Sequence, residues 1–167
     1  MSECQIAIIG CGGIAEAYAK ALQRMPNARL TAVVDPDASA RARIAGDDDS
    51  IAQHSSIESL ADVDAALVLA PPNVHESLSC ALLQRGIHVL CEKPLAPTVA
   101  SAKRMLQCAE TAGRQLMMGS KFRYTADVTK ARALLDEKVC GDIVIYENVF
   151  CSHVDMTQRW NSKAQIS

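Results

Sequence analysis

The chain has 167 residues, 49% of them hydrophobic, with a net charge of −2 and a pI of about 6.1. This hydrophobic content supports a buried core and argues against disorder, and the small net charge argues against nucleic acid or an anionic membrane as a partner. No apolar run reaches the ~18 residues of a membrane-spanning helix. The N-terminus lacks the basic leader of a signal peptide, so we expect a cytoplasmic protein.

Seven cysteines are present, with no C-x-x-C pair among them. An odd number without such a pair argues against a disulfide framework and against a zinc site, so we predict no bound metal. Most of the cysteines should be small core residues in a reducing compartment. Cys11 lies at a predicted helix N-terminus, where a thiolate is favoured; alternatively, its side chain simply points into the preceding turn.

The first predicted element is a buried parallel strand, Gln5–Ile9, which leads into a glycine-rich turn and a helix. The turn is Gly10-Cys11-Gly12-Gly13-Ile14-Ala15. Between a strand and a helix, this pattern is typical of dinucleotide-binding folds, with Ala15 in place of the third glycine. An ordinary strand–helix turn is the alternative. The predicted buried face of the helix consists of Ile14, Ala17, Tyr18, Ala21, Leu22 and Met25.

A second predicted strand, Leu30–Val34, ends at Asp35, where such folds carry an acidic residue. A carboxylate there accepts hydrogen bonds from adenosine ribose hydroxyls and repels a 2′-phosphate, which favours NAD over NADP. Because Pro36 suits a first helical turn, Asp35 could instead cap a helix predicted from Pro36 to Ile44. The two roles are compatible.

Strand and helix patterns continue to alternate as far as residue 120, which predicts a parallel sheet with helices on both faces. Further strands are predicted near Ile51–Ala52 and at Ala65–Leu69, Ile87–Cys91 and Leu116–Met118. Asn73 is predicted to cap a helix that ends before Gly86. A longer helix, Thr98–Ala112, should bury Val99, Ala102, Met105, Leu106 and Ala109. After residue 120 we predict a helix at Ala126–Glu137 and a β-prone run, Ile143–Phe150.

Two segments that follow predicted strands contain chemically useful side chains. They are Ala70-Pro71-Pro72-Asn73-Val74-His75 and Glu92-Lys93-Pro94. Ligands of an open parallel sheet bind outside the carboxyl ends of its strands, so both segments should meet the glycine turn and Asp35 at one crevice. Lys93 could exchange a proton with a substrate there, with Glu92 orienting it or binding the cofactor; a surface lysine is the alternative. His75 could contact the cofactor or equally face solvent.

These turns and segments resemble the N-terminal half of the glucose–fructose oxidoreductase / inositol dehydrogenase family. Arg123 matches an arginine that follows the family's sixth strand, and Trp160 fits the approach to its second domain. The resemblance implies a Rossmann-type doubly wound α/β fold. Residues 1–120 would form the dinucleotide-binding domain, and residues 121–167 would begin a truncated α+β substrate and oligomerisation domain.

The resemblance also implies hydride transfer between a nicotinamide and a sugar or polyol carbon, in a homo-oligomer, with Lys93 catalytic and its peptide bond to Pro94 cis. With the residue patterns, it gives these cofactor-binding residues: Gly10, Cys11, Gly12, Gly13, Ile14, Ala15, Asp35, Ala70, Pro71, Pro72, Asn73, His75, Glu92, Lys93 and Arg123. The family's Asp-x-x-x-His element is absent, so we expect a fragment that binds dinucleotide without turnover. A non-catalytic dinucleotide-binding sensor or scaffold is the alternative.

Overall fold

The structure, a computed structural model, describes residues 3–149 and 151. Trp160 and His153 lie outside these residues, as does Phe150 at the end of the β-prone run. The described chain falls into two units that divide between Gly119 and Ser120.

The first unit contains a parallel sheet of six strands. Its strands are β1 (Cys4–Ile9), β2 (Ala28–Val34), β3 (Ala52–His54), β4 (Ala65–Val68), β5 (His88–Glu92) and β6 (Leu116–Gly119), in the order β3-β2-β1-β4-β5-β6. Its helices are α1 (Ala15–Leu22), α2 (Ala38–Ala45), α3 (His75–Gln84) and α4 (Val99–Ala112). Among the described residues, no helix is long and apolar enough to cross a membrane. The six-stranded parallel sheet, with these four helices, is the predicted Rossmann-type α/β fold.

The sheet is covered on both faces, which explains why its strands are continuously apolar in sequence. On β1, Ile6 and Ile8 face a core layer that includes α1 and α2 residues, whereas Ala7 and Ile9 face a layer that includes α3 and α4 residues. The side chain of Ile8 is fully buried. Each strand therefore contributes to two cores, and its position in the sheet is fixed from both sides.

The buried faces of the helices differ from the prediction. On α1 the buried residues are Ala15, Ala19 and Leu22, so only Leu22 of the predicted face is buried, and Met25 lies beyond the helix and is 52% exposed. On α4, Met105 is buried, whereas Leu106 is 49% exposed. A helix in an outer layer touches the sheet along one stripe only, and residues on the flanks of that stripe reach solvent.

The helix starts also differ from the prediction at α3. A short 3-10 helix, Pro72–Val74, precedes α3, and Asn73 makes no capping hydrogen bond to it or to α3. The buried face of α3 contains two polar residues, His75 and Ser79, besides leucines. Pro71 and Pro72 end the strand geometry and lead into a tight turn in which no side-chain cap is used.

The second unit has a 3-10 helix, Lys121–Tyr124, and a helix α5 (Ala126–Asp136) with no buried residue. The predicted β-prone run forms no strand within its described part, residues 143–149. Val144 and Ile145 are 90% and 85% exposed there. A single apolar segment without a neighbouring strand has no ladder to join, so sequence propensity alone does not make it a strand.

We predict that Met105→Ala lowers the free energy of unfolding by about 2–5 kcal/mol, because it leaves a cavity in the α3–α4 core layer. The matched control is Leu106→Ala on the same helix, where 49% of the side chain is already exposed. That variant should change stability by less than about 1 kcal/mol. Chemical denaturation of both variants measures the difference, and equal losses would contradict the described packing of α4.

Candidate active site

The carboxyl ends of the parallel strands bring the predicted segments to one edge of the sheet. Gly10 follows β1, Asp35 follows β2 and Lys93 follows β5, while Ala70 lies two residues beyond β4. Gly10, Asp35 and Ala70 line a common cleft of about 500 Å³, together with Pro71. The cleft is closed on one side by apolar residues of α3 and the turn before it, namely Val74, Leu78 and Ala81.

The glycine turn has the geometry that a phosphate group requires. Gly10 has φ +96°, and a Cβ there would lie 2.6 Å from the amide nitrogen of Ala70. Gly12 and Gly13 face open space, with nothing within 4 Å of a Cβ built on either. Within residues 3–149, the amides of Gly12, Gly13 and Ile14 have no hydrogen-bond acceptor. Unpaired amides at the start of α1 form an anion site, so these residues fit a pyrophosphate.

Asp35 holds the glycine turn rather than the start of α2. One of its carboxylate oxygens accepts from the Cys11 amide at 2.7 Å, and the other accepts from the Asp37 amide at 2.9 Å. The cap of α2 is Asp37, which accepts from the Ser39 amide at 2.8 Å. The interpretation of Asp35 as the helix cap is therefore wrong. Its carboxylate oxygens keep further lone pairs with which they can accept from ribose hydroxyls.

Cys11 is a structural residue of the turn. Its side chain is fully buried, its amide donates to Asp35, and its carbonyl accepts from Arg43 at 2.5 Å. Burial, and to a smaller extent the Asp35 carboxylate, raises the pKa of the Cys11 thiol to about 11. Of the two alternatives for Cys11, the thiolate at the helix start is therefore wrong. The amide and the carbonyl of Cys11 both have partners within the protein. Sequence reasoning missed Arg43, because nothing in its spacing signals a contact 32 residues away.

The Glu92 carboxylate is bound within the protein. The Tyr18 hydroxyl donates to one oxygen at 2.8 Å, and the Lys93 amide donates to the other at 2.8 Å. Burial, then the hydrogen bond to Glu92, raises the pKa of Tyr18, so the phenol stays protonated. Gly119 leaves room for this pair, since a Cβ there would lie 2.8 Å from the Tyr18 hydroxyl. Glu92 thus orients the backbone of Lys93, not its ammonium group.

Lys93 has a fixed backbone and an open side chain. Its peptide bond to Pro94 is cis, as predicted, and the residue is exposed at the sheet edge. Among the hydrogen bonds and ion pairs of the described residues, none involves the Lys93 ammonium group. The lysine can therefore reach a substrate without first breaking a contact inside the protein.

His75 lies beneath this edge and not in the crevice. The residue is only 1% exposed, and its two ring nitrogens lie 2.9 Å from the Pro94 carbonyl and 2.7 Å from the Ala70 carbonyl. The expectation that His75 faces solvent is wrong. The predicted direct contact with a cofactor also needs revision, because both ring nitrogens already have partners inside the protein.

The remaining residues predicted to bind the cofactor differ in their exposure and in the element to which they belong. Ile14 is 42% exposed at the start of α1, and Ala15 is fully buried against the sheet. Pro72 and Asn73 lie in the 3-10 helix before α3. Arg123 belongs to the second unit, so its cofactor contact stays a prediction.

Comparison with known proteins agrees with this geometry. A family model described as "Oxidoreductase family, NAD-binding Rossmann fold" (GFO_IDH_MocA) matches residues 4–120. The chain belongs to this family. The match covers all six strands and the residues that line the cleft, so the oxidoreductase family shares the part of the chain that the sequence analysis singled out.

Relatives within the oxidoreductase family act on polyols and sugar phosphates, according to their names. The chain is 32% identical to inositol 2-dehydrogenase 1 of Paenarthrobacter aurescens (strain TC1) over 84% of its own length and 43% of that protein. It is 33% identical to glucose-6-phosphate 3-dehydrogenase of Bacillus subtilis (strain 168), over 84% of its length and 40% of that protein. The chain therefore spans less than half the length of these relatives.

A solved structure gives the same picture of the fold. An oxidoreductase from Agrobacterium radiobacter, crystallised in complex with NAD+, L-tartaric acid and magnesium, superposes with a TM-score of 0.78 at 25% identity. The match covers 84% of this chain and 42% of that one. The present chain therefore again spans less than half of the protein that it matches.

Two glycine substitutions should separate folding from binding at the turn. Gly10→Ala places a Cβ against the backbone of Ala70, at a positive φ that alanine rarely adopts. We expect this substitution to lower the free energy of unfolding by about 1–3 kcal/mol or more. Gly12→Ala meets no atom within 4 Å, so it should fold normally but obstruct the phosphate site. Thermal unfolding and calorimetric titration with NAD measure the two effects. Normal NAD affinity in Gly12→Ala would contradict the assignment of the phosphate site.

Proposed function

We propose that this chain is the cofactor-binding part of an NAD-dependent oxidoreductase that transfers a hydride between a nicotinamide and a hydroxyl-bearing carbon of a sugar or polyol. The observation that carries the proposal is the position of Lys93. Its backbone is fixed and its side chain is open, at the same sheet edge as the glycine turn and Asp35. The names of the relatives, inositol 2-dehydrogenase and glucose-6-phosphate 3-dehydrogenase, support the substrate class.

The order of the strands supports a ligand with two functional ends. Asp35 follows β2 and Lys93 follows β5. These two strands are three strand-to-strand steps apart in the sheet, or about 14 Å at the usual spacing. The glycine turn follows β1, which lies between them. We assign Asp35 to the adenosine ribose and the amides of Gly12, Gly13 and Ile14 to the pyrophosphate. Bound NAD would supply the hydride acceptor on the Lys93 side.

The role that we assign to Lys93 is proton exchange with the substrate hydroxyl. In its neutral form the Nζ atom accepts the hydroxyl proton as the carbon is oxidised, and in the reverse direction the ammonium returns it. Glu92 keeps the backbone of Lys93 in place by accepting from its amide. We propose that residues outside the described part of the chain supply the contacts that select a sugar or polyol.

We further propose residues 1–120 as the dinucleotide-binding domain and residues 121–167 as the start of a substrate domain through which the protein forms homo-oligomers in the cytoplasm. The exposed apolar residues Val144 and Ile145 support a partner surface in this segment. Free cysteines, with Cys140 exposed, support a reducing compartment.

The cofactor preference that we propose is NAD over NADP. The Asp35 carboxylate would repel a 2′-phosphate. Two arginines lie close by, but their guanidinium groups are bound to backbone carbonyls: Arg41 to that of Asp35 at 2.6 Å, and Arg43 to that of Cys11 at 2.5 Å. These bonds hold one Nη atom of each guanidinium against the backbone and limit how far either arginine can turn toward a 2′-phosphate, which supports the weaker binding of NADP.

Calorimetric titration with both cofactors tests this preference. The unmodified chain should bind NAD more tightly than NADP. In Asp35→Ser, NAD affinity should fall by about 10- to 100-fold, as expected for lost hydrogen bonds to a charged group, and the gap to NADP should narrow. Asp37→Ser is the matched control, because serine still caps α2 and Asp37 does not contact the glycine turn. Tighter binding of NADP by the unmodified chain would refute the proposal.

The catalytic assignment is testable in an enzyme that contains this chain together with a substrate domain. Lys93→Ala should lower kcat by about 100-fold or more while NAD affinity changes little, because the glycine turn and Asp35 are intact. Lys93→Arg should rescue poorly, since a guanidinium does not give up its proton. Lys103→Ala, an exposed lysine of α4, is the control and should be neutral.

The isolated chain of 167 residues should bind NAD but oxidise no polyol. If the longer enzyme retained near-normal turnover with Lys93→Ala, the lysine would not be catalytic. If the longer protein bound NAD but oxidised none of a panel of inositols and sugars, a binding module would replace the dehydrogenase as the function.

A further inference from the structure

The ring of His75 is enclosed between two hydrogen-bond acceptors. Its Nδ1 atom lies 2.9 Å from the Pro94 carbonyl oxygen and its Nε2 atom lies 2.7 Å from the Ala70 carbonyl oxygen. A carbonyl oxygen can only accept, and a neutral imidazole carries a single N–H. The neutral ring would therefore leave one buried nitrogen lone pair directed at a carbonyl oxygen. An imidazolium donates from both nitrogens and satisfies both contacts.

We propose that His75 is a positioning residue for Lys93, and that it holds the segment after the lysine as an imidazolium bonded to both carbonyls. This inference rests on the proposed function of Lys93. The protonation state itself follows from the two contacts and does not depend on which reaction the enzyme performs.

The backbone contacts show how His75 would act on Lys93. On the amino side of the lysine, the Lys93 amide donates to Glu92, which is held in turn by the Tyr18 hydroxyl. On the carboxyl side, the next carbonyl, that of Pro94, is a partner of His75. The chain is thus tied on both sides of Lys93, so that only the lysine side chain is free to move.

The second contact of His75 links this segment to the cofactor cleft. Ala70 lines the cleft, and its backbone is the group that a Cβ on Gly10 would strike at 2.6 Å. The carbonyl of the same residue is the Nε2 partner of His75. The His75 ring therefore joins the turn that lies against Gly10 to the segment that carries Lys93. This link keeps the phosphate site and the lysine at a fixed distance from each other.

Among the described residues, no charged or titratable side chain on the elements around the ring forms a hydrogen bond with His75. Besides His75 itself, these residues are Glu76 and Cys80 on α3, Lys103, Arg104, Cys108 and Glu110 on α4, and His88, Cys91, Glu92 and Lys93 on and after β5, whereas β4 has none. Glu76 is paired with Arg104 in a two-bond contact, and Glu92 is bound to Tyr18. Burial raises the pKa of Cys91 to about 11, so that thiol is neutral. Burial and the N-terminus of α3 both disfavour a cation, and the two charge-assisted hydrogen bonds oppose these effects.

NMR of the unmodified chain with ¹⁵N-labelled histidine tests the protonation state directly. At neutral pH we expect protons on both ring nitrogens of His75. His88 is an internal control with the opposite expectation, because its Nδ1 accepts from the Gln115 amide at 3.0 Å and must therefore be unprotonated. The resonances are assigned by replacing each of the other three histidines, His54, His88 and His153, with glutamine. A single protonated nitrogen on His75 would overturn the imidazolium.

Hydrogen exchange tests the positioning role. In His75→Gln, the Lys93 amide, which donates to Glu92, should exchange about tenfold faster or more, because the neighbouring Pro94 carbonyl loses a charge-assisted bond. His88→Gln is the matched control and should leave the exchange of this amide unchanged. Unchanged exchange in a folded His75→Gln would overturn the positioning role. Neither measurement uses a cofactor or substrate, so a failure to bind NAD would refute the proposed function while leaving the result on His75 intact.

Discussion

The backbones of β1 and β4 come so close at their carboxyl ends that no side chain fits between Gly10 and Ala70. This approach determines much of the candidate site. It forces the chain after β1 into a left-handed turn, and that turn directs the next amides toward the open edge of the sheet. It also brings the carbonyl of Ala70 to the ring of His75, below the segment that carries Lys93.

Two carboxylates at this edge act on backbone amides within the protein. Asp35 accepts from Cys11, and Glu92 accepts from Lys93. The first bond, of 2.7 Å, fixes the residue between Gly10 and Gly12, and the second, of 2.8 Å, fixes Lys93 itself. A site arranged in this way needs little reorganisation when a ligand arrives, which is the physical basis of precise catalytic geometry.

The sequence was sufficient for the sheet and for the location of the site, because both depend on local patterns. Apolar runs identify buried strands, and parallel topology then places every strand's carboxyl end at one edge. The partners of the site residues could not be predicted this way. Tyr18 and Glu92 are 74 residues apart, and Arg43 and Cys11 are 32 apart. Such contacts depend on which helix face meets which strand end, and no periodicity encodes that.

The predicted helix cap at Asp35 and the predicted environment of His75 were wrong for a related reason. Asp35 and Asp37 are equally good caps by residue type, and only the path of the chain out of β2 decides between them. The sequence placed His75 either at the cofactor or in solvent, because it lies at the start of a helix beside the crevice, although α3 buries that side chain. A buried histidine leaves no pattern in sequence that distinguishes it from an exposed one.

The absence of buried residues in α5 bears on how the protein is made. The first unit contains its whole sheet by Gly119, and domains of this kind fold as units during synthesis, before later segments have left the ribosome. Helix α5 has no core of its own to drive such early folding. The nascent chain would therefore acquire its nucleotide-binding part first, and a newly made polypeptide could be occupied by cofactor while the rest is still being translated.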